Sequence, residues 1–216
     1  MVLVSIINET PRKIKYLAKK RKSRHLLLFT AGRCILFAVS FCGISRLGTK
    51  LYTKVIFVAQ VTLITVGTLK ESYLVEAIAE YKKRLSSFAR IEEISLKEER
   101  IPDEDDATAV ASALAAEGER ILSRIPEGAY TVALCIEGKM LDSPALAAAI
   151  GAAIDRSGKL CLIIGSSHGL SPAVKAKADL RLSMSPLTFP HQLARVMVYE
   201  ALYRSFSILA GKKYHK

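Results

Sequence analysis

Residues 61–216 alternate short apolar runs with amphipathic segments, and this alternation is the clearest pattern in the chain. The apolar runs predict five strands, at 61–66, 90–96, 130–136, 159–164 and 180–184. Between them, apolar positions at helical spacing predict helices at 70–86, 107–124, 143–156, a short one from 172, and 190–208. Strands that alternate with helices form parallel sheets, so we expect an α/β fold with a mostly parallel sheet and helices on both faces.

One stretch between these elements is dominated by charge. KEERIPDEDD, residues 97–106, carries eight ionisable side chains and is too polar to belong to a core. We interpret it as a solvated loop that leads into the helix predicted from residue 107.

The basic excess of the chain belongs to its first sixty residues. The formal net charge is +12, which in a globular chain favours a nucleic-acid partner. Residues 1–60 hold twelve of the 32 Lys and Arg residues but only one of the 20 Asp and Glu residues, Glu9. Residues 61–216 are therefore close to neutral, and the net charge alone does not predict nucleic-acid binding by the α/β part.

The same first sixty residues contain a basic run at 12–25 followed by an apolar stretch at 26–45. That order resembles a signal anchor, although Arg33 would lie near the middle of the span at a cost of about 2.5–3.5 kcal/mol. A membrane anchor, a soluble extension and a misassigned start, with translation beginning near Val58 or Val61, stay open as alternatives.

We favour the misassigned start, because the composition changes where the α/β pattern begins. We therefore expect residues 1–60 to lie outside the fold and residues 61–216 to form one domain. Contact with a membrane is expected only if residues 1–60 are a true anchor.

The four cysteines are too widely spaced for a zinc site or a disulfide scaffold. Cys135 and Cys161 lie in apolar runs, where we expect buried, reduced thiols. We therefore expect no metal and a cytoplasmic location. The cysteines are Cys34, Cys42, Cys135 and Cys161.

Three predicted strands are followed by loops that could bind a ligand, at 136–143, 164–172 and 183–190. In sheets of this type ligands bind at the carboxyl ends of the strands. Gly165 and Gly169 would permit a close approach of backbone to ligand, although an ordinary tight turn is equally compatible. The loops match neither the dinucleotide fingerprint nor the phosphate loop of nucleoside-triphosphate enzymes.

The stretch PHQLAR, residues 190–195, places an imidazole and a guanidinium at the start of a helix. His191 and Arg195 are four residues apart, so we expect them to share one face near the positive end of the helix, where an anion and a neutral imidazole are both favoured. A purely structural role for His191 stays open. We expect Leu193, Val196, Met197 and Phe206 to face the core.

Two further groups could contact a substrate. Arg204 could bind phosphate or, alternatively, pair with Glu200 four residues earlier. The final residues GKKYHK would suit an RNA loop, because aromatic and basic groups can stack on a base and bind phosphates, although such a tail is also typical of disorder.

Residues 61–216 resemble the bacterial large-subunit ribosomal RNA methyltransferase H family, the pseudouridine N3-methyltransferases of the SPOUT superfamily. The resemblance rests on four stretches: VTLITVGTLKESYLVEAIAEYKKRL, LCIEGKMLDS, IGSSHGLSP and LTFPHQLARVMVYEALYRSFSILAGKKYHK. The last, with its terminal YHK, is the most specific.

The resemblance implies a C-terminal trefoil knot, S-adenosylmethionine as methyl donor, a homodimer, and methylation of N3 of a pseudouridine in ribosomal RNA. Because residues 61–216 are close to neutral, we expect the substrate to be the assembled ribosome. The resemblance places His191 and Arg195 on the substrate side. We expect His191 to be the base because its ordinary pKa is about 6.5, and Arg195 or Arg204 to position phosphate or stabilise negative charge on the acceptor base. The implied donor contacts are Leu134, Cys135, Gly165, Ser166, Ser185, Pro186, Leu187, Thr188, Phe189 and Pro190. The implied RNA contacts are Tyr203, Arg204, Tyr214, His215 and Lys216.

The chain departs from the family pattern at two positions. Many relatives have glycine where Ser166 stands and an acidic residue where His168 stands, so Ser166 could narrow the donor pocket. A rival hypothesis is a nucleotide-binding α/β module without catalysis that uses the same loops. Calorimetry with S-adenosylmethionine, NAD and ATP would discriminate between the two.

Overall fold

The structure, a computed structural model, describes residues 59–212 together with three short strands earlier in the chain. The chain separates into two units, Met1–Lys54 and Val55–Lys216. In the first unit, strands β1 (Lys15–Leu17), β2 (His25–Thr30) and β3 (Arg33–Ala38) form an antiparallel sheet in the order β1-β2-β3. No helix among the described residues is long and apolar enough to span a bilayer.

The second unit is built on a five-stranded sheet in the order β5-β4-β7-β6-β8. Every pair of neighbouring strands is parallel, so the expected mostly parallel sheet is entirely parallel in this unit. The strands are β4 (Ala59–Val66), β5 (Ala89–Leu96), β6 (Tyr130–Met140), β7 (Lys159–Ile164) and β8 (Leu180–Ser183).

Five helices connect and follow these strands, close to the predicted bounds. Three of them begin at a side chain that accepts a hydrogen bond from a free backbone N–H of the first turn. These side chains are Asp106, Asp142 and Ser171, which accept from Thr108, Ala145 and Val174. The helices are α1 (Ser72–Leu85), α2 (Ala107–Leu122), α3 (Ser143–Ser157), α4 (Pro172–Lys177) and α5 (His191–Leu209).

The helices cover both faces of the sheet, as predicted. One apolar cluster joins the sheet to Ile78 of α1, Ile150 of α3 and Val198 of α5. A second cluster joins the sheet to Ile121 of α2 and Val174 of α4. Alternate side chains of the strands enter opposite clusters, which is why the central strands read as continuous apolar runs.

Strand β6 runs further than predicted, to Met140 rather than residue 136. Leu134 and Lys139 both pair with Leu182 of β8, so residues 135–138 form a bulge that is not paired with β8. Gly138 permits the return, because a Cβ there would lie 2.6 Å from the carbonyl carbon of Leu182. The prediction treated this segment as a loop because its Glu, Gly and Lys residues resemble a turn.

The two cysteines of this unit have different surroundings. Cys161 of β7 is fully buried, and burial raises the pKa of its thiol to about 12. Cys135 is only half-buried, and burial raises its pKa as well, followed by the negative charge of Glu137. The expectation of a buried, free thiol is therefore confirmed for Cys161. Cys135 is also a free thiol, but its expected burial is wrong, because it is half-buried.

Candidate functional site

The three ligand-binding loops predicted from the sequence follow three adjacent strands, β7, β6 and β8. Because these strands are parallel, their carboxyl ends lie at one edge of the sheet. Met140 of β6 pairs with Ser183 of β8, and Nζ of Lys175 lies 2.6 Å from Oε1 of Glu137. The loops are thus neighbours, and this edge of the sheet is the candidate site.

The loop after β7 is closed tightly on itself. Ser166 and Gly169 form an isolated bridge, and Gly169 has a φ of 91°, which favours glycine. A Cβ on Gly165 would lie only 2.0 Å from the carbonyl oxygen of Gly169, so no side chain fits at position 165 without opening the loop.

Ser166 is buried, and its hydroxyl donates to Oε2 of Glu117 on α2 at 2.9 Å. The other oxygen of Glu117 accepts from the backbone N–H of Glu99 at 2.9 Å. Ser166 is therefore engaged with α2, and through Glu117 it joins the loop after β7 to the loop after β5.

The loop after β8 is ordered by its own serines. Ser185 Oγ accepts from the N–H of Leu187 at 3.0 Å, and Ser183 Oγ donates to the carbonyl oxygen of Ser185 at 3.1 Å. The side chain of Leu187 is 71% exposed, and on β6 Ile136 and Met140 are exposed as well. Exposed apolar side chains on a surface are typical of a binding site for a ligand or for another chain.

The remaining predicted donor contacts lie on the same two strand ends. Leu134 and Cys135 are half-buried in β6, beside the point where it leaves the ladder. In the loop after β8, Pro186, Thr188 and Pro190 are exposed and Phe189 is half-buried.

His191 is the first residue of α5 and is half-buried beside the ends of β4 and β5. A Cβ on Gly67 would lie 3.3 Å from Nε2 of His191 and 3.5 Å from Oε2 of Glu98. Burial lowers the pKa of His191, the negative charge of Glu98 opposes this, and Arg195 and Lys70 lower it further. The imidazole is therefore mainly neutral at pH 7 and able to accept a proton.

Arg195 lies on the same side of α5 as His191, since both side chains approach Gly67, but Arg195 is buried and is not accessible to an anionic ligand. Its side chain is 1% exposed, and Nη2 donates to the carbonyl oxygens of Val66 and Gly67 at 2.7 and 2.6 Å. Burial lowers the pKa of the guanidinium, while the nearby carboxylate of Glu93 acts in the opposite direction. Arg195 holds the end of β4 in place directly beneath His191.

A second group of polar contacts fixes the same helix to the sheet. Tyr199 donates its hydroxyl to Oε2 of Glu93 at 2.9 Å, and Lys82 of α1 donates to the same oxygen at 2.5 Å. Burial, together with the charge of Glu93, raises the pKa of Tyr199. Of the side chains expected to face the core, Phe206 is buried, whereas Leu193 is 39% exposed and was predicted wrongly.

The predicted RNA contacts on α5 lie far from His191. Tyr203 is twelve residues further along the helix, which corresponds to about 18 Å. Its ring packs against Tyr81 and Phe88, with centroids 6.4 and 6.1 Å away. Arg204 donates to Oε1 of Glu200 at 2.6 Å, which confirms the ion pair considered as its alternative role. Tyr214, His215 and Lys216 lie outside the described residues.

Comparison with protein families shows which family the chain belongs to. Residues 59–215 match the family model described as predicted SPOUT methyltransferase. The chain belongs to the SPOUT methyltransferase family. Its recognition from four sequence stretches is confirmed, and with it the expected α/β fold of this SPOUT methyltransferase.

Curated relatives of this SPOUT methyltransferase match almost their whole length. A protein of Caldicellulosiruptor saccharolyticus named "Ribosomal RNA large subunit methyltransferase H" is 46% identical over 156 residues, 72% of this chain and 99% of the relative. Proteins of the same name from Bacillus pumilus and Bifidobacterium adolescentis are 46% and 45% identical, and cover 72% and 73% of this chain and 99% of their own.

Sequence reasoning missed two carboxylates of the SPOUT methyltransferase edge. Glu98 was assigned to a solvated loop, and Glu117 is one of two glutamates on an amphipathic helix. For Glu98 the distance of two residues from a strand end was an available signal. For Glu117 the adjacent Gly118 was the signal, because a Cβ there would lie 2.2 Å from Oγ of Ser171, so α2 must pack closely on this edge.

Proposed function

We propose that this SPOUT methyltransferase transfers a methyl group from S-adenosylmethionine to N3 of a pseudouridine in large-subunit ribosomal RNA. The observation that carries the proposal is the match over 99% of relatives named ribosomal RNA large subunit methyltransferase H. The supporting geometry is one sheet edge that combines a closed glycine loop, exposed apolar side chains and a neutral histidine.

The donor would be held by the loops after β6, β7 and β8. Gly165 and Ser166 offer backbone groups for its polar chain, while Leu187 and the half-buried Phe189 can cover its adenine ring. Ser185 through Pro190 with Leu134 and Cys135 complete the proposed contacts. When bound, S-adenosylmethionine supplies a methyl group on a positively charged sulfur.

His191 is the proposed base. Burial keeps the imidazole mainly neutral near pH 7, and the positive end of α5 favours the neutral ring as well. The ring can therefore accept the N3 proton as the new bond to carbon forms. Arg195 acts in this proposal through position, since it fixes the carbonyl oxygens of Val66 and Gly67 beside the imidazole.

The RNA side of the site is proposed to come from a second subunit. Within one chain Tyr203 and Arg204 lie about 18 Å along α5 from His191. A homodimer could bring these residues and the tail, Tyr214 to Lys216, to the partner's donor site. Because residues 61–216 are close to neutral, we expect recognition by shape on assembled ribosomes rather than general attraction to RNA.

Mixed dimers test the arrangement in trans. One subunit carries His191→Gln, and the other carries alanine at Tyr214, His215 and Lys216. If the tail acts across the dimer, one site combines an intact histidine with an intact tail and the mixed dimer is active. If the tail acts within its own chain, both sites are damaged and the mixed dimer is inactive.

The proposal includes three features implied by the family. These are a trefoil knot near the C-terminus, a cytoplasmic location, and a methyltransferase domain at 61–216 that works without residues 1–60. Donor binding by a chain that starts at residue 59 tests the domain, and cell fractionation tests the location. An experimentally determined chain trace through residues 130–212 tests the knot.

The decisive experiment is nucleoside mass spectrometry of ribosomal RNA. Cells without the gene should lack N3-methylpseudouridine, and the wild-type gene should restore it, whereas the His191→Gln gene should not. Unchanged methylpseudouridine after deletion would contradict the proposed substrate. Comparison of purified ribosomes with free transcript tests the preference for assembled particles.

A further inference from the structure

A carboxylate outside the predicted contacts faces His191. Glu98 follows β5 by two residues, Gly67 follows β4 by one, and His191 begins α5. Nε2 of His191 and Oε2 of Glu98 each lie within 3.5 Å of the position that a Cβ of Gly67 would occupy. The absence of a side chain at Gly67 therefore lets the imidazole and the carboxylate approach one another.

We propose that Glu98 is a positioning residue for His191: its carboxylate is held near the imidazole and stabilises, by its negative charge, the imidazolium formed when the ring takes a proton from the acceptor base. This rests on the proposed function. In the step, the N3–H bond breaks and its proton moves to His191, while the N3 electron pair forms the bond to the methyl carbon. The carbon–sulfur bond breaks with its electron pair on sulfur, so the donor leaves as a neutral thioether.

The second oxygen of Glu98 is held by the loop after β7. Ser167 donates its hydroxyl to Oε1 of Glu98 at 3.3 Å, and the same hydroxyl oxygen lies 3.2 Å from Nδ1 of His168. One carboxylate thus contacts the proposed donor loop through Oε1 and faces the proposed base through Oε2. A base supported by a neighbouring carboxylate is a recurring arrangement in sites that abstract a proton.

The charges that surround His191 single out Glu98. Burial is the largest influence on the pKa of His191 and lowers it, and Arg195 and Lys70 lower it further. Glu98 is the group that raises it among the charged residues described around the ring. Loss of this carboxylate should therefore leave an imidazole that is harder to protonate.

The first test reads the imidazole directly and needs neither donor nor RNA. NMR titration of His191 is compared in the wild type, Glu98→Gln and Glu104→Gln, the last being an exposed glutamate of the same loop. We expect the His191 midpoint to move to lower pH in Glu98→Gln and to stay in place in Glu104→Gln. An unmoved midpoint in a folded Glu98→Gln protein would overturn the proposal.

The second test uses methyl transfer. Glu98→Gln should lower kcat more than it raises KM, and should move the acidic limb of the pH–rate profile to lower pH. Glu98→Asp, which keeps the charge on a shorter side chain, should recover part of kcat, and it replaces Glu98→Gln if that variant does not fold. If the NMR midpoint moves but the wild type transfers no methyl group, the proposed function is rejected while the effect of the Glu98 charge on His191 stands. A loss of kcat with an unmoved midpoint would make Glu98 merely structural and reject the proposal.

Discussion

The two ends of α5 differ in almost every respect. At its start, His191 is half-buried beside a carboxylate, and the buried guanidinium of Arg195 donates to two backbone carbonyls. Near its end, Phe206 and Tyr203 pack against Phe88, with ring centroids 6.1 Å apart in both pairs. One helix therefore carries polar groups of the candidate site at one end and apolar packing at the other, so changes at the two ends should separate activity from stability.

His191→Gln should give the largest loss of activity relative to its effect on stability. Glutamine cannot accept the proton, and loss of a general base costs about 10²- to 10⁴-fold in rate. Single-turnover methyl transfer should show this loss while the urea midpoint changes little. His168→Gln is the matched histidine control, and its methyl-transfer rate should fall much less. An equal fall in rate for both variants would contradict a specific role of His191 as the base.

Phe206→Ala should produce the opposite result. Truncation of a buried phenylalanine costs about 3–5 kcal/mol in the free energy of unfolding. Urea denaturation should show this cost, while calorimetry on the folded fraction should show unchanged affinity for S-adenosylmethionine. A variant of full stability would mean that the ring packing at this end is not what holds α5 to the sheet.

Arg195→Met should affect both activity and stability, because Arg195 is a buried residue at the site end of α5. The carbonyls of Val66 and Gly67 lose their charged donor, at about 1–3 kcal/mol for each group left unsatisfied. The His191 resonances should also shift, since Gly67 is no longer held. Arg204→Met, which breaks a partly exposed i,i+4 pair, should cost about 1 kcal/mol or less.

The smallest expected effect is a pH dependence of stability. Burial lowers the pKa of His191 in the folded chain below the unfolded value of about 6.5, so the unfolded state binds the proton more readily. The free energy of unfolding should therefore fall as the pH drops from about 6.5 towards the folded pKa. His191→Gln should flatten this dependence in urea titrations at a series of pH values, and an unaltered slope would contradict the shift.

Periodicity was enough to predict the second unit at the level of elements. The predicted strand at 159–164 coincides with β7, and the helix predicted at 190–208 differs from α5 by one residue at each end. These succeed because buried strands and amphipathic helices have local patterns that tertiary contacts reinforce.

The side-chain roles were harder to predict, and Arg195 shows why. It lies three and four residues before the buried Val198 and Tyr199, so its position on the apolar stripe was visible in the sequence. Its positive charge nevertheless favoured an accessible position. The two carbonyl groups that make burial possible belong to the end of β4, nearly 130 residues away, and could not be inferred from the local sequence. Glu98 and Glu117 were missed for the same reason: their partners are distant in sequence.

The buried thiol of Cys161 gives the protein an internal reporter. A thiol with a pKa of about 12 in the middle of β7 is almost entirely protonated and shielded, so an alkylating reagent should modify it only when the sheet opens. Peptide-resolved labelling rates at this single sulfur would measure the opening frequency of the central strand in the unmodified chain, without an introduced fluorophore.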